Sequence, residues 1–370
     1  MILYPAEWNA RKEAVFTALA KADGGGRRLW TIPWSPRAFP ETEARVALCL
    51  SRAKRQPQGL GRWVKAWLIR LQYNGARRLF QRHQGAVAVA WNGLGGSRQA
   101  FLLAARDAGL ATLYCELAPF PGRVTVDPMG VNAESAIPTD LTHFDTSDRW
   151  RALGQTLTAR TSRRADVGQA HGAPQGNYLF CPLQVPNDSQ VTLFAGWTGG
   201  MTGFLAALTE AAQHLPDGWH LRVKEHPSAK IPLTDALQPL LATGKAILDN
   251  TTDSFAQLAA SRGVVTLNSS MGLQAFFYDK SVITLGRAFF ARSPIVTPAA
   301  DQPALNALFA APQSLTYDAT QRAQLMNWLD QVYYPRPDDA SAMTEKLRQA
   351  RNLAATPSPA PPFALTALRP

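Results

Sequence analysis

Cysteine is scarce in this 370-residue sequence: Cys49, Cys115 and Cys181 are far apart and odd in number. That pattern excludes a disulfide framework and a CxxC metal site, and the expected role is three small buried side chains in a reducing, cytoplasmic compartment. No apolar run reaches the roughly eighteen residues that a membrane-spanning helix needs. The opening stretch "MILYPAEWNARKEAVF" also lacks the basic, apolar, small-residue order of an export signal. Histidine occurs only six times, and no internal repeat is convincing. Acidic residues are missing altogether from 44–106, where twelve Lys or Arg occur, nine of them between Arg52 and Arg82.

What is present points to a folded α/β protein with an anionic partner. Hydrophobic residues make up 46% of the chain, enough for two cores, and the net charge of +11 suits nucleic acid, phospholipid or a phosphorylated substrate. Glycine and proline separate short β-branched runs from helically spaced ones. Strands are predicted at 27–34, 85–91 and 111–117 in the first half, with a helix at 97–109 that Ser97 can cap and Gly109 can end. In the second half, strands are predicted at 177–183, 219–226, 244–249, 263–268 and 280–286. Helices are expected near 200–214, 253–261, 271–279 and 319–332. Strand–helix alternation of this kind predicts two parallel sheets, one per domain. The predicted domains are 1–165 and 177–345, joined by a polar linker at 166–176 and followed by a proline-rich tail at 346–370.

Ligands of such sheets bind beyond the carboxyl ends of the strands. One predicted end is "KEHP", where Pro227 restricts His226 to extended geometry and Lys224 lies on the same face two residues earlier. His226 is then either a satisfied structural histidine or a ligand donor. A second end, "NSSMGLQA", carries Asn268, Ser269 and Ser270 into a helix; these residues serve as caps or as an anion cradle, with Gly272 leaving room for a ligand. In the first half, "WNGLGGSRQAF" is either a tight strand–helix turn or a substrate loop in which Asn92, Ser97 and Arg98 make contacts. It is neither a Walker sequence nor a dinucleotide fingerprint. Glu116 ends a buried strand and Asp127 precedes Pro128; each is either locally paired or part of a carboxylate couple of the kind glycosyl transfer uses.

The segment "GRWVKAWLIRLQYNGARRLFQRHQ" (61–84) places Trp63, Trp67 and Leu71 on one helical stripe among Arg62, Lys65, Arg70, Arg77 and Arg78. It reads as an interfacial helix for an anionic membrane surface or as a core helix with a solvated basic side. No nucleic-acid-binding motif accompanies it, and no nucleic-acid partner is expected.

"KEHP" followed some forty residues later by "NSSMGLQA" resembles the His-Pro and Ser-Ser signatures of CMP-sugar-dependent glycosyltransferases. "CPLQVPNDSQV" and "DPMGVN" are similar to segments of the bacterial capsule polysaccharide synthesis proteins of the KpsS/KpsC type, which are β-Kdo transferases. The resemblance covers about 91–290 and implies a GT-B-like α/β fold, two Rossmann-like domains facing a central cleft, with CMP-Kdo as donor. It implies that His226, Ser269 and Ser270 hold the CMP phosphate, helped by Lys224, Asn268 and Gly272. Asn132, Gln184, Asp188, Ser189 and Gln190 would join Asn92, Ser97 and Arg98 along the acceptor and sugar cleft. Asp127 would be the nucleophile of a retaining double displacement and Glu116 the acid/base residue, although Leu117-Ala118 stand where relatives often have glycine or asparagine.

The implied activity is Kdo transfer to a lipid-linked or saccharide acceptor at the inner face of the inner membrane, within a possible capsule assembly complex. No metal and no further cofactor are required. Another CMP-sugar transferase, sialyltransferase-like, and a non-catalytic capsule assembly or export component are the alternatives.

Overall fold

The computed structural model describes residues 1–54, 56–157, 174–229 and 233–356. They divide into two compact units, one built from 1–118, 122–136 and 334 onward, the other from 119–121 and 137–333.

Unit 1 runs β1 (Ile2–Pro5), α1 (Ala10–Ala22), β2 (Gly26–Leu29), α2 (Thr42–Ser51), α3 (Gly59–Gln81), β3 (Val87–Trp91), α4 (Gly96–Asp107), β4 (Ala111–Leu117) and β5 (Val124–Asp127). Its sheet has the order β2-β1-β3-β4-β5. The first four strands are parallel, but β5 returns antiparallel to β4, which departs from the expected all-parallel sheet. Six residues separate β4 from β5, too few for the crossover helix that a parallel neighbour requires. The strand expected at 27–34 stops at Leu29; Pro33 has no N–H for a ladder, and Trp30 and Trp34 project into solvent. β3 is apolar and buried throughout, as a strand covered on both faces should be. Helix α4 packs Phe101 against Phe80 of α3, with ring centroids 4.9 Å apart.

Unit 2 contains β6 (Asn177–Pro182), α5 (Ser189–Phe194), α6 (Met201–Ala212), β7 (Trp219–Lys224), α7 (Thr234–Ala242), β8 (Ala246–Leu248), α8 (Ser254–Ala260), β9 (Gly263–Thr266), α9 (Ser270–Gln274), β10 (Ser281–Thr284), β11 (Thr297–Pro298), α10 (Gln302–Ala310) and α11 (Ala319–Trp328). The five strands expected here are all found, in a six-stranded sheet of order β11-β10-β9-β6-β7-β8. Every pairing in it is parallel. Leu179, Cys181, Leu221, Val223, Val265 and Ile283 meet Phe204 and Leu208 of α6 in its core.

The chain then returns to unit 1 with α12 (Ala340–Ala355). Met343, Leu347 and Ala350 recur at helical spacing and join Ile2, Val87 and Leu113 in the unit 1 core. The tail expected from 346 therefore has to be corrected: 346–355 is packed helix, and only 357–370 lies outside the described residues. Residues 137–157, expected in the first domain, group with unit 2. Of the expected linker, 166–176, residues 166–173 fall outside the described residues.

All three cysteines are free and buried, and burial pushes the Cys49 thiol up to about 12. No helix among the described residues is long and apolar enough to cross a membrane.

Candidate functional site

In unit 2 the neighbouring strands β9, β6 and β7 bring the predicted residues to one sheet edge. At the end of β7, the Ser228 N–H donates to His226 Nδ1 at 3.1 Å. A ring nitrogen that accepts in this way leaves Nε2 to carry the proton, so the neutral imidazole is a donor through Nε2. Lys224 does not share this role. It is buried, and its Nζ donates to the Asn250 and Thr252 carbonyls at 2.7 and 2.6 Å, which corrects the expectation that it faces a phosphate. Glu225 is the residue that sequence reasoning passed over: it is buried, takes the Asn250 side-chain amide at 3.0 Å and the Leu233 N–H, and so ties the residue before His226 to Asn250 and Leu233.

At the end of β9, Asn268 and Gln184 are buried and clamp each other: the Gln184 amide donates to Asn268 Oδ1 at 2.9 Å, and the Asn268 N–H returns to Gln184 Oε1 at 3.2 Å. The Asn268 amide also donates to the Gln190 and Phe194 carbonyls. These groups tie β6, β9 and α5 together. Gln190 takes part through its backbone carbonyl. Asp188 is exposed and caps α5 by accepting the Gln190 N–H at 2.9 Å, with Ser189 half-buried in the first turn. Ser269 is nearly buried and caps α9, accepting the Met271 N–H, whereas Ser270 is exposed. Gly272 is not an opening for a ligand: a Cβ there would meet the Phe290 ring at 3.0 Å, so its missing side chain is filled by packing. Of the predicted donor-binding side chains, Ser270 is exposed and His226 is half-buried.

In unit 1 the ends of β3 and β4 lie side by side, with Trp91 paired to Cys115. Asn92 follows with φ of 60°, a left-handed conformation that aims its amide at Glu116 Oε2, 2.9 Å away. Gly93 also has positive φ, and a Cβ on it would strike Leu102 at 2.5 Å; the glycine loop is thus a tight strand–helix turn that holds Asn92 and Glu116 in place. Gly95, not Ser97, caps α4. Arg98 forms an ion pair with the buried Glu7, so its guanidinium is engaged within unit 1.

Asp127 has no accessible surface. Its Oδ1 accepts the Met129 and Gly130 N–H groups at 2.7 and 3.0 Å, and its Oδ2 accepts the Ala136 N–H at 2.8 Å. The "DPMGVN" signature is therefore a loop wrapped around its own carboxylate. Gly130 leaves space for the Glu134 carbonyl, Asn132 takes a φ of 60°, and Glu134 is gripped by Arg52 through two bonds of 2.8 Å. On the other side Lys346 of α12 is buried; burial pulls its ammonium down to about 8, against the attraction of Asp127. Tyr334 is raised by burial first and by Asp127 second. Sequence reasoning missed this pair, although a lysine on the apolar stripe of Met343, Leu347 and Ala350 was a visible signal. Among the described residues no group of His, Cys, Asp and Glu could hold a metal ion.

The basic helix divides into two halves. Towards its end Ile69, Tyr73, Ala76 and Phe80 are buried. Arg70 is held by Glu43 at 2.7 Å, Arg78 donates to Ser35, and Arg77 and Arg78 lie over the Phe39 ring, so these three arginines pack within unit 1 and leave the expected membrane patch. Towards its start Leu60, Trp63, Val64 and Trp67 are exposed, beside Arg62 and Lys65.

Residues 150–303, which contain the whole six-stranded sheet, match the family model described as capsule polysaccharide biosynthesis protein. The chain is 30% identical over 247 residues to Protein FixF of Sinorhizobium fredii (strain NBRC 101917 / NGR234), covering 67% of this chain and 60% of FixF. It is 28% identical over 137 residues to the capsule polysaccharide modification protein LipB of Neisseria meningitidis serogroup A, covering 35% of this chain and 31% of LipB. The chain thus spans less than two thirds of the curated relatives it matches. Among solved structures, Thermosulfurimonas dismutans KpsC, beta Kdo 2,7 transferase, aligns with a TM-score of 0.52 at 14% identity, over 95% of this chain and 99% of that one. The fold is the α/β, GT-B-like class that the sequence resemblance implied. Over residues 150–303 the chain carries a domain of the capsule polysaccharide biosynthesis protein family.

Proposed function

We propose that this protein is a glycosyltransferase of capsule polysaccharide synthesis, moving Kdo from CMP-Kdo to a lipid-linked or saccharide acceptor. The observation that carries the reading is His226. Its Nδ1 accepts the Ser228 N–H, so the neutral ring carries its proton on Nε2, and the residue follows β7 at the carboxyl edge of a parallel sheet, where the leaving phosphate would be bound. The exposed Ser270 hydroxyl stands two strands away on the same edge. The shared fold with a β-Kdo transferase and the capsule family match support the same class.

Within this reading Glu116, oriented by Asn92, is the acid/base residue, and Asp127 is the nucleophile under one condition. Its Oδ2 is covered by the Ala136 N–H, so attack requires residues 131–136 to open. The three N–H bonds keep the Asp127 carboxylate fixed in its loop.

The test is CMP release from CMP-Kdo by the purified protein, with and without a Kdo-terminated acceptor, beside His226→Ala. Acceptor-stimulated release that falls by about a hundredfold in His226→Ala supports the reading, since a phosphate-directed donor is worth roughly 2–3 kcal/mol. A folded protein that neither binds CMP nor releases it overturns the reading.

A further inference from the structure

Two tryptophans at the carboxyl edge of the unit 1 sheet have no part in the machinery described above. Trp8 follows β1 and Trp30 follows β2, and they are 86% and 66% exposed. Their ring centroids are 6.0 Å apart at an interplanar angle of 46°, so they form a single shallow aromatic surface. The surface is built rather than incidental. Arg28 lies 4.2 Å over the Trp30 ring, its Nε pairs with Glu13 at 3.0 Å, and its Nη2 donates to the Glu7 carbonyl, which fixes Trp30 against the loop that carries Trp8. Asn9 caps α1 immediately after Trp8, so the main chain there is held as well.

The position is what gives the pair a use. β1 pairs with β3 and β3 with β4, so the chain leaves β1 and β2 at the same edge at which Asn92 and Glu116 leave β3 and β4. Adjacent strands are about 4.8 Å apart, which puts the β2 end roughly 14 Å from the β4 end. An indole presents a negative π face that suits the C–H face of a pyranose ring, and two exposed rings in a row suit successive sugars of a chain. Arg28, Lys12 and Arg98 are paired with two carboxylates, Glu7 and Glu13, which leaves this network one positive charge in excess. That balance fits an anionic saccharide.

A membrane fits the patch at the start of α3 better than this pair, whose neighbours carry charges of both signs. The separate exposed patch on α3 contains aliphatic Leu60 and Val64 and no acidic residue anywhere in 59–81. We infer that Trp8 and Trp30 form a stacking platform for an anionic saccharide chain, an acceptor subsite of the transferase proposed above, on which this inference partly rests.

The experiment measures binding of a Kdo oligosaccharide by the full chain, with maltohexaose as the neutral probe, for wild type, Trp8→Ala, Trp30→Ala and Trp30→Phe. Both rings are exposed, so unchanged melting temperatures are expected and are checked first. The expected result is tighter binding of the Kdo oligosaccharide than of maltohexaose, a roughly fivefold to tenfold loss in each alanine variant, and recovery in Trp30→Phe. CMP affinity stays unchanged in all four proteins. Wild-type protein that binds neither probe, or alanine variants that bind as wild type does, overturn the platform. Variants that keep saccharide affinity but no longer co-sediment with phosphatidylglycerol–phosphatidylethanolamine vesicles overturn it in favour of a membrane contact. If wild type shows no CMP-Kdo turnover yet loses saccharide binding on Trp8→Ala, the platform stands and the transferase reading alone fails.

Discussion

Asp127 and Glu116 differ in what surrounds them, and substitution separates their roles. Asp127→Asn replaces an acceptor oxygen with an amide facing backbone N–H groups, so a loss of roughly 2–3 kcal/mol in unfolding free energy is expected. Glu116→Gln keeps its contact with Asn92 and should leave the melting temperature within a degree or two of wild type while lowering transfer by about a hundredfold or more. Asp127→Asn that melts lower but still transfers Kdo would remove Asp127 from the chemistry and leave it as the anchor of its loop. Lys346 supplies a pH signature. Its ammonium is held down near 8 by burial, so above pH 8 the unfolded chain binds more protons at this site than the folded one. Stability from this group therefore rises from about pH 8 towards the unfolded value near 10.4 and is lost as pH falls through 8. Chemical denaturation of wild type against Lys346→Met at pH 7.5 and 9.5 should show the rise in wild type only; parallel curves would refute the shift.

Helix α3 shows what an element's sequence reveals and what it hides. Its amphipathic, basic character was legible from spacing, but the division into a buried end and an exposed start was not, because Trp63 and Tyr73 look equally apolar in a pattern. Gly75 was equally opaque. A mid-helix glycine reads as a weakness of about 1 kcal/mol against alanine, yet here a Cβ would lie 2.0 Å from the Pro33 carbonyl oxygen. Gly75→Ala is accordingly expected to destabilise by roughly 2–3 kcal/mol despite its better helix propensity, as thermal melts would show; a neutral or stabilising effect would contradict the close approach. In unit 2, parallel strands with continuous apolar runs made all five predicted strands legible. What stayed hidden there were partners distant in sequence: Lys224 turned to the 250–252 carbonyls, Gln184 to Asn268, and Gly272 to Phe290. β1 and β5, each four residues long, offered too short a pattern to separate from loop.

At the scale of the whole molecule, the net charge of +11 acts through where it is exposed. The start of α3, with Arg62, Trp63, Lys65 and Trp67, is the surface expected to meet anionic lipid. Co-sedimentation with phosphatidylglycerol vesicles should weaken between about 0.1 and 1 M salt, as the screening length shrinks from ~10 to ~3 Å, and should weaken further in Trp63→Ala/Trp67→Ala. Salt-independent binding, or none, would rule out that surface. The return of the chain through α12 has a separate consequence for biogenesis. Unit 2 comes almost entirely from one continuous stretch, 137–333, whereas the unit 1 core needs Met343, Leu347 and Ala350. During synthesis the second unit to be translated can be complete while the first still exposes the bare face of its sheet, awaiting a helix about two hundred residues downstream of β5. A released chain that ends before residue 340 should therefore show a protease-resistant unit 2 and a protease-sensitive unit 1.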